Sequence, residues 1–124
     1  MWKYEVTPLP GQQVSLTVDG IEKLRWHFNP TERVPFFFPL HGPANIPVTR
    51  MGHPGAPNHD HHRSIWFAHH KVNGVDFWSE NGNGVIRQVQ WYSYQDGDQA
   101  GMFSVLLHWV DKSTGQVLLQ QDLI

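Results

Sequence analysis

The sequence predicts an all-β chain folded as an antiparallel β-sandwich, and three observations carry that reading. Apolar residues recur with a period of two rather than 3.6, turn-forming pairs such as Asp-Gly and Asn-Gly separate the alternating runs, and no segment bears a helical stripe. A chain of 124 residues with 40% hydrophobic and 13% aromatic content can fill the core of one small domain, which sets it apart from disordered chains.

The elements follow in order. In "QQVSLTVDGIEKLRWHF", Val14, Leu16 and Val18 alternate with Ser15 and Thr17, Asp19-Gly20 marks a turn, and Leu24, Trp26 and Phe28 alternate with Lys23, Arg25 and His27. That is a hairpin pattern. "NPTERVPFFFPLHGPANIP" holds too much proline for a helix or a central strand, although "FFF" suits a short edge strand. "VIRQVQWYSY", "MFSVLLHWV" and "QVLLQQDLI" read as further strands, separated by turns at Asp96-Gly97 and "DKSTG". Trp26, Trp91 and Trp109 at strand spacing are expected in the core, and His27 and His108 are expected to carry no chemistry. The last run reaches Ile124 in mid-strand. Residues 1–124 are therefore expected to be one sandwich unit and a fragment of a longer chain, whose open edges favour self-association.

Charge excludes some partners. The formal net charge of -2 and the lack of a Lys/Arg run give no electrostatic footprint for nucleic acid or an anionic membrane. Without cysteine there are no disulfides and no thiolate metal ligands. "MWKYEVTPLPGQQ" lacks the basic and apolar regions of a secretory signal, and no apolar run approaches the roughly 20 residues that span a bilayer. A cytoplasmic chain acting on a small molecule is the expectation.

Chemistry concentrates between His53 and Trp78, which hold six of the nine histidines. Within "SIWFAHHKVNGVDFWSE", Asn73-Gly74 predicts a two-residue type I′ hairpin, because both central positions need positive φ. Its register would set Val72 against Val75, Lys71 against Asp76, His70 against Phe77 and His69 against Trp78. Alternation then gives a core face of Trp66, Ala68, His70, Val72, Val75, Phe77 and Ser79, and a second face of Phe67, His69, Lys71, Asp76, Trp78 and Glu80. On this second face His69 would lean on Trp78, with Asp76 and Glu80 diagonal to it. His70 reads as a satisfied core or boundary histidine, and Lys71 with Asp76 as an exposed ion pair.

Upstream, "GHPGAPNHDHHRS" reads as a loop, where a rigid sheet would carry its reactive side chains. If residues 59–63 are extended, His59, His61 and Arg63 share one side while Asp60 and His62 share the other. The His59-x-His61 pair could bind a divalent or transition metal. Arg63 beside it instead favours an anionic or carbonyl-bearing ligand, held by two hydrogen bonds to a planar guanidinium.

The order of "IPVTR", "HDHHRSIWFAHHKVNGVDFW" and the surrounding strands resembles the PmoA-like family of soluble bacterial proteins, from about Pro35 to Gln88. The resemblance implies a domain about twice this length, of which residues 1–124 are the N-terminal part, and a β-sandwich similar to the galactose-mutarotase type of carbohydrate-active proteins. It implies in turn a sugar site, with His61 and His69 as general acid/base groups and Arg63 as electrophilic anchor. His62, Trp66, Trp78, Asp76, Glu80 and Arg50 would bind the ligand. Lyase, epimerase and hydrolase chemistry all remain open. The alternatives are a His-ligated metalloprotein built on His59 and His61, and a non-catalytic sugar-binding module that relies on its tryptophans.

Overall fold

The computed structural model describes residues 3–53, 55 and 57–124. Seven strands form two antiparallel sheets: β1 (Tyr4–Leu9), β2 (Gln13–Val18), β3 (Ile21–His27) and β4 (Phe36–Leu40) in one, β5 (Gly84–Gln95), β6 (Met102–Asp111) and β7 (Val117–Leu123) in the other. Each strand pairs with its neighbours in sequence, so both sheets are meanders. A single short 3₁₀ turn at Pro43–Asn45 is the helical content of the described residues, and none of their helices is long and apolar enough to cross a membrane.

The β2–β3 hairpin forms where alternation and the Asp19-Gly20 pair place it. Asp19 and Gly20 take φ of 52° and 79°, the left-handed pair that matches strand twist in a two-residue turn. Val14 lies opposite Trp26 and Leu16 opposite Leu24, with Val14 and Trp26 fully buried. The "FFF" run forms β4 at the sheet's edge, where Pro39 breaks no central ladder. β1 was not foreseen. It is the other edge strand, and only Val6 among its residues is buried, so its alternation is weak in the sequence.

In β6 the period of two is unbroken: Phe103, Val105, Leu107 and Trp109 all face inward and are buried. They meet Val6, Val14 and Trp26 of the first sheet, which makes the assembly a sandwich with one core between its layers. Polar ties cross that core. The Trp26 indole Nε1 donates to Gln88 Oε1 at 2.8 Å, and the Val6 amide donates to Asp96 Oδ1 at 2.8 Å. Trp91 packs against the cluster from its margin, as expected of a core tryptophan. His27 rests on Phe36 with its Nε2 against the Phe38 carbonyl, and His108 contacts Gln120; neither reaches the histidine loop.

Between β4 and β5 lies a long irregular segment, residues 41–83, which is fastened to the sandwich at few points. Phe37 and Ile65 exchange backbone hydrogen bonds of 2.8 and 3.3 Å. Phe77 drops into the core against Trp109, with ring centroids 5.0 Å apart. Gly84 starts β5 directly beneath that ring, and a Cβ there would strike it. The Gly84 amide also donates to the Asp76 carbonyl at 2.8 Å.

The Asn73-Gly74 turn is present, with φ of 49° and 81° and paired Val72–Val75 hydrogen bonds of 2.9 Å. Its arms depart from the expected hairpin. The Phe77 amide donates to the His69 carbonyl rather than to that of His70, so the ladder slips by one residue after a single bridge. The division into faces survives for Trp66, Val72, Val75 and Phe77, which pack inward. It fails for His70, which is exposed because the slip carries it off the core side.

Candidate functional site

The 59–63 segment is a turn and not an extended run. The His62 amide donates to the His59 carbonyl at 3.2 Å, and this reversal gathers rings that an extended chain would have sent to opposite sides. Centroids of His59, His61 and His62 lie 4.6 to 6.2 Å apart, and His53 lies 5.5 Å from His59. The cluster is flanked by two indoles. His61 sits 5.4 Å from Trp78, His62 sits 5.5 Å from Trp66, and the indoles are 6.2 Å apart.

Two clefts open on the two sides of this cluster. One, of about 260 Å³, is lined by Thr49, Arg50, His62, Ser64 and Trp66. The other, of about 420 Å³, includes Asp60, His61, Trp78, Ser79, Glu80 and Asn81. In the first cleft the Ser64 hydroxyl and the Trp66 indole Nε1 are buried with no hydrogen-bond partner. Buried polar groups without partners are uncommon and cost about 1–3 kcal/mol each. Ser64 also holds a left-handed backbone, φ 62°, a conformation seldom used by non-glycine residues and often concentrated at ligand sites.

Charge around the first cleft is positive. Arg50 donates to the Gly52 carbonyl and approaches His62 Nδ1 at 3.4 Å. Since a guanidinium can only donate, that contact favours a neutral His62 with its proton on Nε2. Burial, aided by the fields of His61, His59, Arg50 and His53, holds His62 below the ordinary histidine value.

The remaining expected site residues fall elsewhere. Arg63 is largely covered and spends its guanidinium inside the protein, on Glu80 at 3.2 Å, Glu32 at 3.7 Å and the carbonyls of Asp60 and His62. That engagement leaves Arg50 as the cation facing the cleft. His69 is exposed and does not lean on Trp78; His61 occupies that position because the 59–62 turn folds back over the indole. Asp76 forms no ion pair with Lys71 among the described residues. It turns inward and accepts the amides of Trp78 at 2.7 Å and Ser79 at 3.0 Å. Burial raises the Asp76 carboxyl, but hydrogen bonds from Ser79 and Trp78 outweigh it and hold the group at about 2. Ser64 and Thr49 were missed, since neither a left-handed serine nor an unpartnered hydroxyl has a signature in sequence.

The histidine cluster was also weighed as a metal centre. Among the described residues, no three His, Asp or Glu donors converge closely enough to hold an ion, although His59 Nδ1 is buried without a partner.

Residues 13–123 match the model of a family of unknown function, DUF6807. The chain belongs to this family. The DUF6807 match overturns the resemblance to the PmoA-like family, because it takes in the whole "HDHHRSIWFAHHKVNGVDFW" block and no PmoA-like model is found. It begins at the first residue of β2, so it covers six of the seven strands and the histidine loop but not β1. No curated protein and no solved structure matches.

Proposed function

We propose that this DUF6807 chain is a carbohydrate-active protein whose ligand occupies the cleft of Thr49, Arg50, His62, Ser64 and Trp66. The observation that carries the reading is the pair of unpartnered polar atoms, Ser64 Oγ and Trp66 Nε1, on two residues that line a cleft together with Arg50 and His62. Both atoms are covered, so a small rotation of each side chain would bring them to the hydroxyls of a sugar ring, whose apolar face suits the indole. The volume, about 260 Å³, lies just below the roughly 300–1,000 Å³ usual for small-molecule sites, which suits one ring rather than a chain. His62 is the acid–base group, moving a proton at a ligand hydroxyl, while Arg50 polarises a carbonyl or ring oxygen.

The test is an NMR titration of the protein with D-galactose, D-glucose and D-glucuronate, following the Trp66 indole N–H. A saturable shift with at least one sugar, lost in Arg50→Ala, is the expected result. No saturable shift at tens of millimolar from any of the three rejects the reading.

A second reading has one observation in its favour. Rings that share a zinc ion through bonds of about 2.0–2.1 Å have centroids roughly 5 Å apart, close to the spacing of His59, His61 and His62. Rotation of the rings would bring the orphaned His59 Nδ1 onto such an ion. Elemental mass spectrometry of the untagged protein after zinc loading decides it: near-stoichiometric zinc that falls in His59→Ala supports a metal centre, and zinc unchanged by that substitution rejects it.

A further inference from the structure

A third cleft, of about 420 Å³, lies beyond Glu80 and is lined by Glu32, Arg33, Arg63, Arg87 and Lys112 together with Pro30, Thr31 and Val85. Four of the chain's nine Lys and Arg residues thus face one opening on a protein whose net charge is -2. The two carboxylates present, Glu32 and Glu80, are both taken by Arg63. Arg33 spends Nη1 on the Gly84 carbonyl at 3.0 Å and Nη2 on the Trp78 carbonyl at 3.1 Å.

Arg87 is the unusual member. Its Nη1 donates to the carbonyls of Glu32, Arg33 and Ile86 at 2.8 to 3.2 Å, which pins the 32–33 backbone to β5. A guanidinium has five N–H donors, however, and neither Nε nor Nη2 of Arg87 has a partner among the described residues. Burial lowers this guanidinium from its ordinary value with no carboxylate to offset it. Those two nitrogens belong to a residue that lines the cleft, where an anion would supply the counter-charge that this half-buried cation lacks. The plainer role, fastening a loop through one nitrogen, accounts for Nη1 alone; a bidentate acceptor is what the other two nitrogens fit.

We infer that the cleft of Arg33, Arg87 and Lys112 is an oxyanion site, taking a carboxylate or sulfate group in the planar fork of Arg87 with Lys112 as a second, mobile cation. This site is separate from the sugar cleft and does not depend on it.

The experiment titrates the ¹⁵N-labelled protein with sodium sulfate, D-glucuronate and D-glucose at constant ionic strength, reading the Arg87 side-chain Nε–H and the Lys112 amide. Saturable shifts with sulfate and glucuronate but not glucose, weakened at least fivefold in Arg87→Gln and about threefold in Lys112→Gln, are expected. Lys112 is exposed on a turn, so its variant decides the matter even if Arg87→Gln does not fold. Sulfate binding here without any sugar response at Trp66 keeps the anion site and rejects the carbohydrate proposal. Overturning the inference takes no anion-dependent shift at these residues, or shifts of equal affinity in both variants.

Discussion

The two sheets and the 41–83 segment are built by different rules, although both are rich in aromatic residues. In the sheets each side chain's direction is set locally by the pleat, and β6 buries every second residue from Phe103 to Trp109 without exception. In the segment, direction is set by a few remote fastenings: the Phe37–Ile65 bridge, the Phe77 ring over Gly84, and Asp76 holding the Trp78 and Ser79 amides. The difference shows how a sandwich can carry a site. Few fastenings allow tight turns, unpartnered polar atoms and crowded histidines that a ladder of backbone hydrogen bonds would not tolerate.

That contrast can be broken at its strongest fastening first. Phe77 has no exposed surface, and its truncation removes the ring that ties the segment to the core. Phe77→Ala should cost about 3–5 kcal/mol in urea denaturation. A cost under about 1 kcal/mol would mean that the segment is not held through Phe77. Asp76 comes next. Losing the carboxylate that accepts the Trp78 and Ser79 amides should cost about 1 kcal/mol in Asp76→Ala, by analogy with loss of a helix cap. The sign with pH follows from its folded value of about 2, below the ordinary 3.8. Its contribution is fully present above about pH 4 and is lost as pH falls toward 2, where the carboxyl protonates in the folded state as well. Acid unfolding of Asp76→Ala should therefore lack part of the wild-type slope between pH 4 and 2; identical slopes would contradict the assignment.

A third variant sharpens the link between strain and function. Ser64→Gly relieves a left-handed φ and should leave the unfolding free energy unchanged or raised by up to about 1 kcal/mol. Binding of the responsive sugar should weaken by several-fold with the hydroxyl gone. A drop in stability would show that Ser64 is a packing residue. The smallest effects belong to the exposed arms of the Asn73-Gly74 turn. His69→Ala and Lys71→Ala should each fall within about 0.5 kcal/mol of wild type, and a larger cost in Lys71→Ala would revive its pairing with Asp76.

What could be read from the sequence divides along the same line. Alternation and the Asp19-Gly20 pair located β2 and β3, and the period of two located β5, β6 and β7, because in a sheet the residue two places on faces the same way whatever lies across from it. β1 escaped because an edge strand needs to bury only one side chain. In the histidine segment the turn pair was legible at Asn73-Gly74, yet not the one-residue slip beside which His70 is exposed, since the Phe77 contact with Trp109 that accompanies it is remote in sequence. His61, His62, Trp66 and Trp78 lie in one neighbourhood although alternation sends them to opposite sides, because the turn that groups the histidines depends on the His62–His59 hydrogen bond. Arg63 was expected to face a ligand and instead faces Glu32 and Glu80, each remote in sequence.

The most direct test of the central claim is a crystal structure of the protein soaked with the sugar that shifts the Trp66 indole in solution. The account predicts a single ring in the cleft, with hydroxyls within about 3.2 Å of Ser64 Oγ and Trp66 Nε1 and Arg50 turned toward the ligand. A sugar bound elsewhere, or those two atoms satisfied by ordered water in an otherwise empty cleft, would contradict it.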